Sequence, residues 1–262
     1  MLRRLAQSVL SGLLSVWPIS GAEETIFNPP DTSQFLRGRF VYQKNCLVCH
    51  GRRGDGRGEM GLSLKPRPRD FTAGIFKFRS TPSGALPTED DLTRTIRQGI
   101  AGSAMPAFGA LPERELRAVI QYVKSFSSKW NDRANFAAPV PLPQAPAWIR
   151  NEDELVRRTE RGRTLFTTMC APCHGDDGAG NGRATKEMLD AWGQPIAPAD
   201  LRQTQLRSGP ELRDLYRVLV TGINGTPMPS FADGTTEEQR WELAAYIAQL
   251  RRGFRTQPAS GL

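Results

Sequence analysis

Histidine and cysteine are scarce in this chain of 262 residues: two of the first and four of the second. Beyond a short stretch at the N-terminus that is itself under the about 20 apolar residues a spanning helix needs, the chain has no long apolar run. No segment shows the strict alternation of apolar and polar residues that marks a half-buried strand. The scarcity of histidine and cysteine narrows the chemistry. All six residues fall into two short motifs, Cys46-Leu47-Val48-Cys49-His50 and Cys170-Ala171-Pro172-Cys173-His174. None is left over for a separate nucleophile, a separate metal site or a switchable distal histidine.

Each motif is C-x-x-C-H, the attachment signature of a c-type haem. Two thiols separated by two residues can reach the two vinyl groups of one porphyrin, and the adjacent His can ligate the iron from below the ring. The competing readings fit less well. A Cys₄ zinc site would have to bring together two knuckles 124 residues apart, and it leaves the following His unexplained. A redox dithiol of the thioredoxin kind needs a βαβ context, which is not visible here.

The surroundings of the motifs repeat as well. Gly38-Arg39 precedes Cys46 by eight residues, as Gly162-Arg163 precedes Cys170. Pro68-Arg69-Asp70-Phe71 answers to Pro198-Ala199-Asp200-Leu201. Met105-Pro106-Ala107-Phe108 answers to Met228-Pro229-Ser230-Phe231. The chain is therefore read as a duplicated unit. The expected division is residues 1–22 as a secretory signal, 23–128 and 151–252 as two haem domains, 129–150 as a Pro-rich linker and 253–262 as a loose tail. Arg3 and Arg4, the run Leu5 to Ile19 and the small residues Ser20-Gly21-Ala22 carry the signal reading. The alternative is an uncleaved anchor, but the run is shorter than about 20 apolar residues and is broken by Gln7, Ser8, Ser11, Gly12 and Ser15. Export to the periplasm suits covalent haem attachment.

The pattern is helical. Leu116, Val119, Ile120 and Val123 follow the i, i+3, i+4, i+7 spacing, as do Leu243, Ile247 and Leu250. Thr88 with Asp91, Asn151 with Glu154, and Thr235-Thr236 with Glu238 and Gln239 are start signals. Ser208 is expected to cap the helix that contains Leu212, Leu215 and Leu219. Pro139, Pro141, Pro143 and Pro146 suggest an extended, fairly stiff spacer between the halves.

With no His or Cys to spare, a sixth ligand would be methionine. Met1 lies in the signal, Met169 abuts Cys170, and Met60 and Met188 have no partner across the repeat. Met105 and Met228 do, at 55 and 54 residues after their histidines, each followed by Pro. The other ring N–H of each histidine needs an acceptor, and Pro68 and Pro198 stand where such a carbonyl could come from.

Each half resembles a class I cytochrome c domain, and the whole is similar to dihaem cytochromes c built from two of them. The resemblance covers roughly residues 33–126 and 152–250. It implies an all-α fold of two tandem domains, each wrapped around one covalent haem c. It implies Cys46, Cys49, Cys170 and Cys173 as attachment points, and His50 with Met105 and His174 with Met228 on the irons. It also implies that the terminal helices of each domain cross, with Gly38 and Tyr42, and Gly162 and Phe166, at the contact. The Arg-rich loop from Lys65 to Arg79 has no equivalent in the plainest members of the family.

The expected function is single-electron transfer between redox proteins, either as a shuttle or as the electron-transfer subunit of an oxidoreductase complex, including a membrane-bound respiratory one. It is not expected to be an enzyme in its own right. The enzymatic alternative is a dihaem cytochrome enzyme, peroxidase-like or a small-molecule oxidoreductase, in which one methionine leaves its iron. Charge is unevenly placed. Residues 23–135 carry a net +6 and residues 136–262 a net of zero. Lys44, Arg52 and Arg53 surround the first motif, whereas Asp176-Asp177 follow the second. An acidic partner surface is therefore expected to dock at the first haem. Nucleic acid is not an expected partner of an exported haem protein.

Overall fold

The computed structural model describes residues 31–251. The expected secretory signal and the loose tail lie outside the described residues. Eight α-helices and four short 3-10 turns make up the described chain, and its only β feature among those residues is a single antiparallel bridge between Leu189 and Pro195. The all-α expectation holds.

The helices fall into two sets of four with the same plan. In the first set, α1 (Thr32–Asn45) leads into a single turn, α2 (Leu47–His50), followed by α3 (Glu89–Gln98) and α4 (Glu113–Lys124). In the second, α5 (Glu152–Met169) leads into α6 (Ala171–His174), followed by α7 (Leu212–Thr221) and α8 (Glu237–Leu250). The starts follow local chemistry. Asn151 Oδ1 accepts from Glu154 N–H at 3.0 Å, and Thr88 and Thr236 each form a capping box, with Asp91 and Gln239. The start of α7 differs from expectation: it begins at Leu212, with Asp214 accepting from the Glu211 N–H. Ser208 gives its carbonyl to Arg217 instead of capping the helix.

The first and last helices of each set cross at a glycine. An added Cβ on Gly38 would stand 2.1 Å from the Ala118 carbonyl oxygen, and one on Gly162 2.1 Å from that of Glu242. Only a residue without a side chain lets the backbones come this close. Aromatic rings close the seam beside each glycine: Tyr42 on Tyr122 and Phe166 on Tyr246, both with centroids 5.2 Å apart. The crossing inferred from the resemblance is present at the residues expected.

Each set has its own core. Val41, Tyr42, Leu116, Val119 and Ile120 centre the first; Phe166, Leu215, Leu219, Leu243 and Ala244 centre the second. The stretch between them is less free than its prolines suggest. Residues 136–146 form no helix or strand, but Trp130 is 1% exposed in the first core, and Leu142, Trp148 and Ile149 pack on the second. The Val140 N–H donates to the Ser80 carbonyl at 2.8 Å, tying the stretch to the first half. The segment is a tethered strap rather than a spacer held off the two bodies.

Candidate haem-binding sites

Each C-x-x-C-H motif forms one helical turn directly after the glycine-bearing helix. Cys46 closes α1 by donating its N–H to the Tyr42 carbonyl at 2.8 Å and then accepts from the His50 N–H at 2.9 Å. Cys170 does the same between Phe166 and His174, both at 2.8 Å. Residues at i, i+3 and i+4 of a turn share one side, so both thiols and the imidazole of each motif face together. Gly51 and Gly175 end the turns at φ 81° and 78°, a left-handed conformation that side chains disfavour.

The imidazoles are held the same way in both halves. His50 Nδ1 donates to the Arg69 carbonyl at 3.0 Å and His174 Nδ1 to the Ala199 carbonyl at 3.2 Å. This fixes each ring and leaves Nε2 for a ligand. The acceptor is one residue beyond the expected prolines. The carbonyls of Pro68 and Pro198 lie instead against Gly56 and Gly180, where a Cβ would meet them at 2.6 Å. Burial is the main force lowering the affinity of both imidazoles for a proton, and the Arg69 cation adds to it at His50. The neutral ring that metal ligation needs is thereby favoured.

All four thiols are free, and burial, with help from the neighbouring cysteine, pushes Cys46 and Cys170 up to about 12. A dithiol built for disulfide exchange is tuned the opposite way, toward thiolate. Among the described residues, no three His, Cys, Asp or Glu side chains converge as a metal ion would require. Each half also buries an indole N–H, of Trp130 and of Trp241, that no protein acceptor meets. A haem carboxylate is the kind of acceptor such a donor takes. The donor set in each half fits haem c.

The two Met-Pro loops share a design. Met105 is half-buried; its N–H donates to Ser103 Oγ at 3.2 Å and its carbonyl accepts from Ile100 at 3.1 Å. Met228, also half-buried, pairs with Thr226 Oγ1 at 3.2 Å and Ile223 N–H at 3.1 Å. Both loops leave a helix, α3 or α7, through a left-handed glycine, Gly99 or Gly222. Met60, by contrast, is 51% exposed beside the first motif.

A family profile described as cytochrome c oxidase, cbb3-type, subunit III matches the chain twice, over residues 33–123 and 157–247. The chain belongs to this family. It carries two tandem cytochrome c domains, a family that binds haem c covalently. The cbb3-type oxidase subunit CcoP of Azospirillum sp. (strain B510) is 26% identical over 226 residues, covering 82% of this chain and 62% of that protein. The fructose dehydrogenase cytochrome subunit of Gluconobacter japonicus is 23% identical, covering 89% of this chain and 53% of that one. The chain thus spans between about half and two thirds of the length of these curated relatives. A chain of the reducing HAO-like protein complex of Kuenenia stuttgartiensis is 37% identical. It superposes with a TM-score of 0.77 over 82% of this chain and 96% of that one.

Within this tandem cytochrome c, sequence reasoning missed what two residues do beside the first motif. The Tyr42 hydroxyl, buried, donates to the Gly51 carbonyl at 2.8 Å, fixing the end of the motif turn. Phe71 stacks on the His50 ring at 4.5 Å and 18°. Their counterparts in the second half, Phe166 and Leu201, can do neither. The repeat alignment held the signal, since Tyr42 stands opposite Phe166 and Phe71 opposite Leu201, but a difference between repeats does not announce its purpose. No helix among the described residues is long and apolar enough to cross a membrane.

Proposed function

We propose that the chain is a periplasmic dihaem electron-transfer protein that works with an oxidoreductase, receiving or delivering electrons one at a time. The observation that supports this most directly is the doubled geometry: two C-x-x-C-H turns, each with its histidine Nδ1 tied to a backbone carbonyl. Cys46, Cys49, Cys170 and Cys173 would hold the porphyrins by thioethers. His50 with Met105, and His174 with Met228, would ligate the irons. Haem iron, when bound, supplies a ferric–ferrous couple that stores one electron, and Met/His ligation raises its potential. The protein's own work is to fix the histidines, shut out water and hold the methionine loops. With both irons six-coordinate, no open site would be offered to a substrate. The relatives named for an oxidase, a dehydrogenase and an HAO-like complex suggest a catalytic partner of that general kind.

The docking face would be the first half. Arg52, Arg53 and Arg57 are exposed beside its motif. Val48, Met60 and Leu62, between 44% and 58% exposed, form an apolar patch there, joined by the Met60 N–H donating to the Val48 carbonyl at 2.9 Å. An apolar centre ringed by cations suits a partner with an acidic rim.

The test is a haem count with visible and near-infrared spectra of the purified protein. Two covalent haems, each with the charge-transfer band that marks methionine on ferric iron, are expected. One haem per chain, or a high-spin iron without that band, would overturn the reading and turn attention to peroxide chemistry.

A further inference from the structure

The Arg-rich loop that the family resemblance leaves unassigned reaches across to the second half. Arg79 is 1% exposed. Its guanidinium donates to the Thr221 carbonyl at 2.8 Å and to that of Gly222 at 3.5 Å, while its Nε donates to its own loop at Pro82, 3.2 Å away. Thr221 is the last residue of α7. The last carbonyls of a helix have no partners within it and carry the negative end of its dipole, so a cation is the natural cap. Here the cap comes from the other domain. Among the described residues no carboxylate pairs with Arg79; Asp91, the neighbouring acid, is engaged by Ser80, Thr88 and Arg94.

The Met228 loop comes directly after α7. An added Cβ on Gly222 would stand 3.0 Å from the Met228 carbonyl oxygen, and the Ile223 N–H donates to that same carbonyl. Two further contacts from the first half brace the loop. Asn224 Oδ1 accepts from the Gly84 N–H at 3.0 Å. Arg69 lies 4.2 Å over the Trp192 ring, and Trp192 abuts Gly225. Arg69 is the residue whose carbonyl holds His50. The reverse bracing is slight: the Met105 loop receives one exposed side chain from the second half, Arg207, donating to Gly102 at 3.4 Å.

We propose that residues 65–86 form a clasp by which the first domain holds the axial-ligand loop of the second, with Arg79 as the positioning residue for Met228. This rests on the reading that Met228 ligates the second iron. It makes six-coordination of that iron conditional on the two domains staying closed, and leaves the methionine loop of the first, among the described residues, with only the Arg207 contact across the domains.

The experiment uses the full chain loaded with both haems. Met105→Ala leaves only the Met228 charge-transfer band visible, and Met228→Ala only the Met105 band. If either parent variant still shows two bands, the ligand reading fails before Arg79 is touched. Arg79→Gln is then added to each, and loss of the remaining band is followed against guanidinium. In the Met105→Ala background, the ratio of methionine-detached to methionine-bound iron should rise at least about tenfold at a fixed subdenaturing concentration, as for a lost charged donor. In the Met228→Ala background, the Met105 band should keep its midpoint. Arg79→Lys should recover part of the effect. An unchanged Met228 band, or both bands lost at one lowered midpoint, would overturn the proposal; the second result would make Arg79 a general stabiliser. Should Arg79→Gln fail to fold, Asn224→Ala serves instead. The same selective loss supports the clasp and an unmoved Met228 band refutes it.

Discussion

Replacing Gly162 by alanine tests the frame on which the second candidate haem site rests. The new Cβ would stand 2.1 Å from the Glu242 carbonyl oxygen and 2.6 Å from its carbon, where real contacts stop near 3.0 Å. Helices α5 and α8 must therefore separate by about 0.9 Å. A gap of this size forfeits a quarter to a half of the dispersion energy of atoms along the seam, including the Phe166–Tyr246 contact. Overpacking of a close-packed contact costs about 3 kcal/mol at its upper range, and alanine's better helix propensity returns about 0.5–1 kcal/mol, leaving a loss of about 2 kcal/mol. In guanidinium unfolding followed by far-ultraviolet circular dichroism, this is a midpoint shift on the order of 0.5 M. Gly38→Ala should act alike in the first half, since its Cβ meets Ala118 at the same 2.1 Å. Gly234→Ala, with nothing within 4 Å, is the control and should stay within about 0.5 kcal/mol. If Gly162→Ala raises the midpoint, propensity has won, and the helices do not cross at this residue.

Two further perturbations address the first half. The Asp91 carboxylate is fully buried and accepts from the Ser80 N–H and hydroxyl, the Thr88 N–H and Arg94. Burial raises its proton affinity, but the hydrogen bonds and the Arg94 cation outweigh that and the net shift is downward. A depressed carboxyl contributes stability above its ordinary value of 3.8, and that contribution is lost as pH falls through the depressed one. Asp91→Asn should thus cost about 1.5–3 kcal/mol at pH 7. The gap from the parent protein should narrow in urea unfolding below about pH 4; a gap independent of pH would show that the charge is not what holds Ser80. For docking, changing Arg52, Arg53 and Arg57 together to Gln should slow electron exchange with an acidic partner about tenfold at low salt and flatten its ionic-strength dependence, read by stopped flow. Unchanged rates would remove the basic face from partner recognition.

Most of what is local was legible in the residues. The C-x-x-C-H turns and the Asn151, Thr88 and Thr236 caps depend on a few residues close in sequence, whereas the crossings at Gly38 and Gly162 join residues 80 positions apart and came only from the family resemblance. The misses share a different cause. The Arg69 and Ala199 carbonyls lie 19 and 25 residues beyond the histidines they hold. Any carbonyl carries the same chemistry, so composition cannot choose between Pro68 and its neighbour. Ser208 looked like a cap because Ser suits that position, but the cap falls three residues later at Glu211, in a reciprocal capping box with Asp214. The strap has the extended backbone its prolines suggest, but its packing was not legible, because Trp130 and Trp148 betray burial only once the cores exist. Arg79 and Thr221 are 142 residues apart, and nothing in the spacing of either signals the other.

The two halves keep one template and differ where they face different neighbours. The turn, the histidine clamp and the methionine loop are the same to within a few tenths of an ångström in the hydrogen bonds that define them. Apart from the buried Tyr42 hydroxyl, which Phe166 lacks, divergence is concentrated in two places. One is the skin beside the first motif, where exposed arginines and apolar side chains replace the Asp176-Asp177 of the second. The other is the segment 65–86, whose Arg79 and Arg69 carry the contacts between domains. Close agreement of the histidine and methionine loops alongside divergence of both outer surfaces is what the proposed single-electron chemistry would allow. In the proposed function an electron would meet a similar cradle at each stop, leaving the surfaces that choose its source and hold the two stops together freer to change.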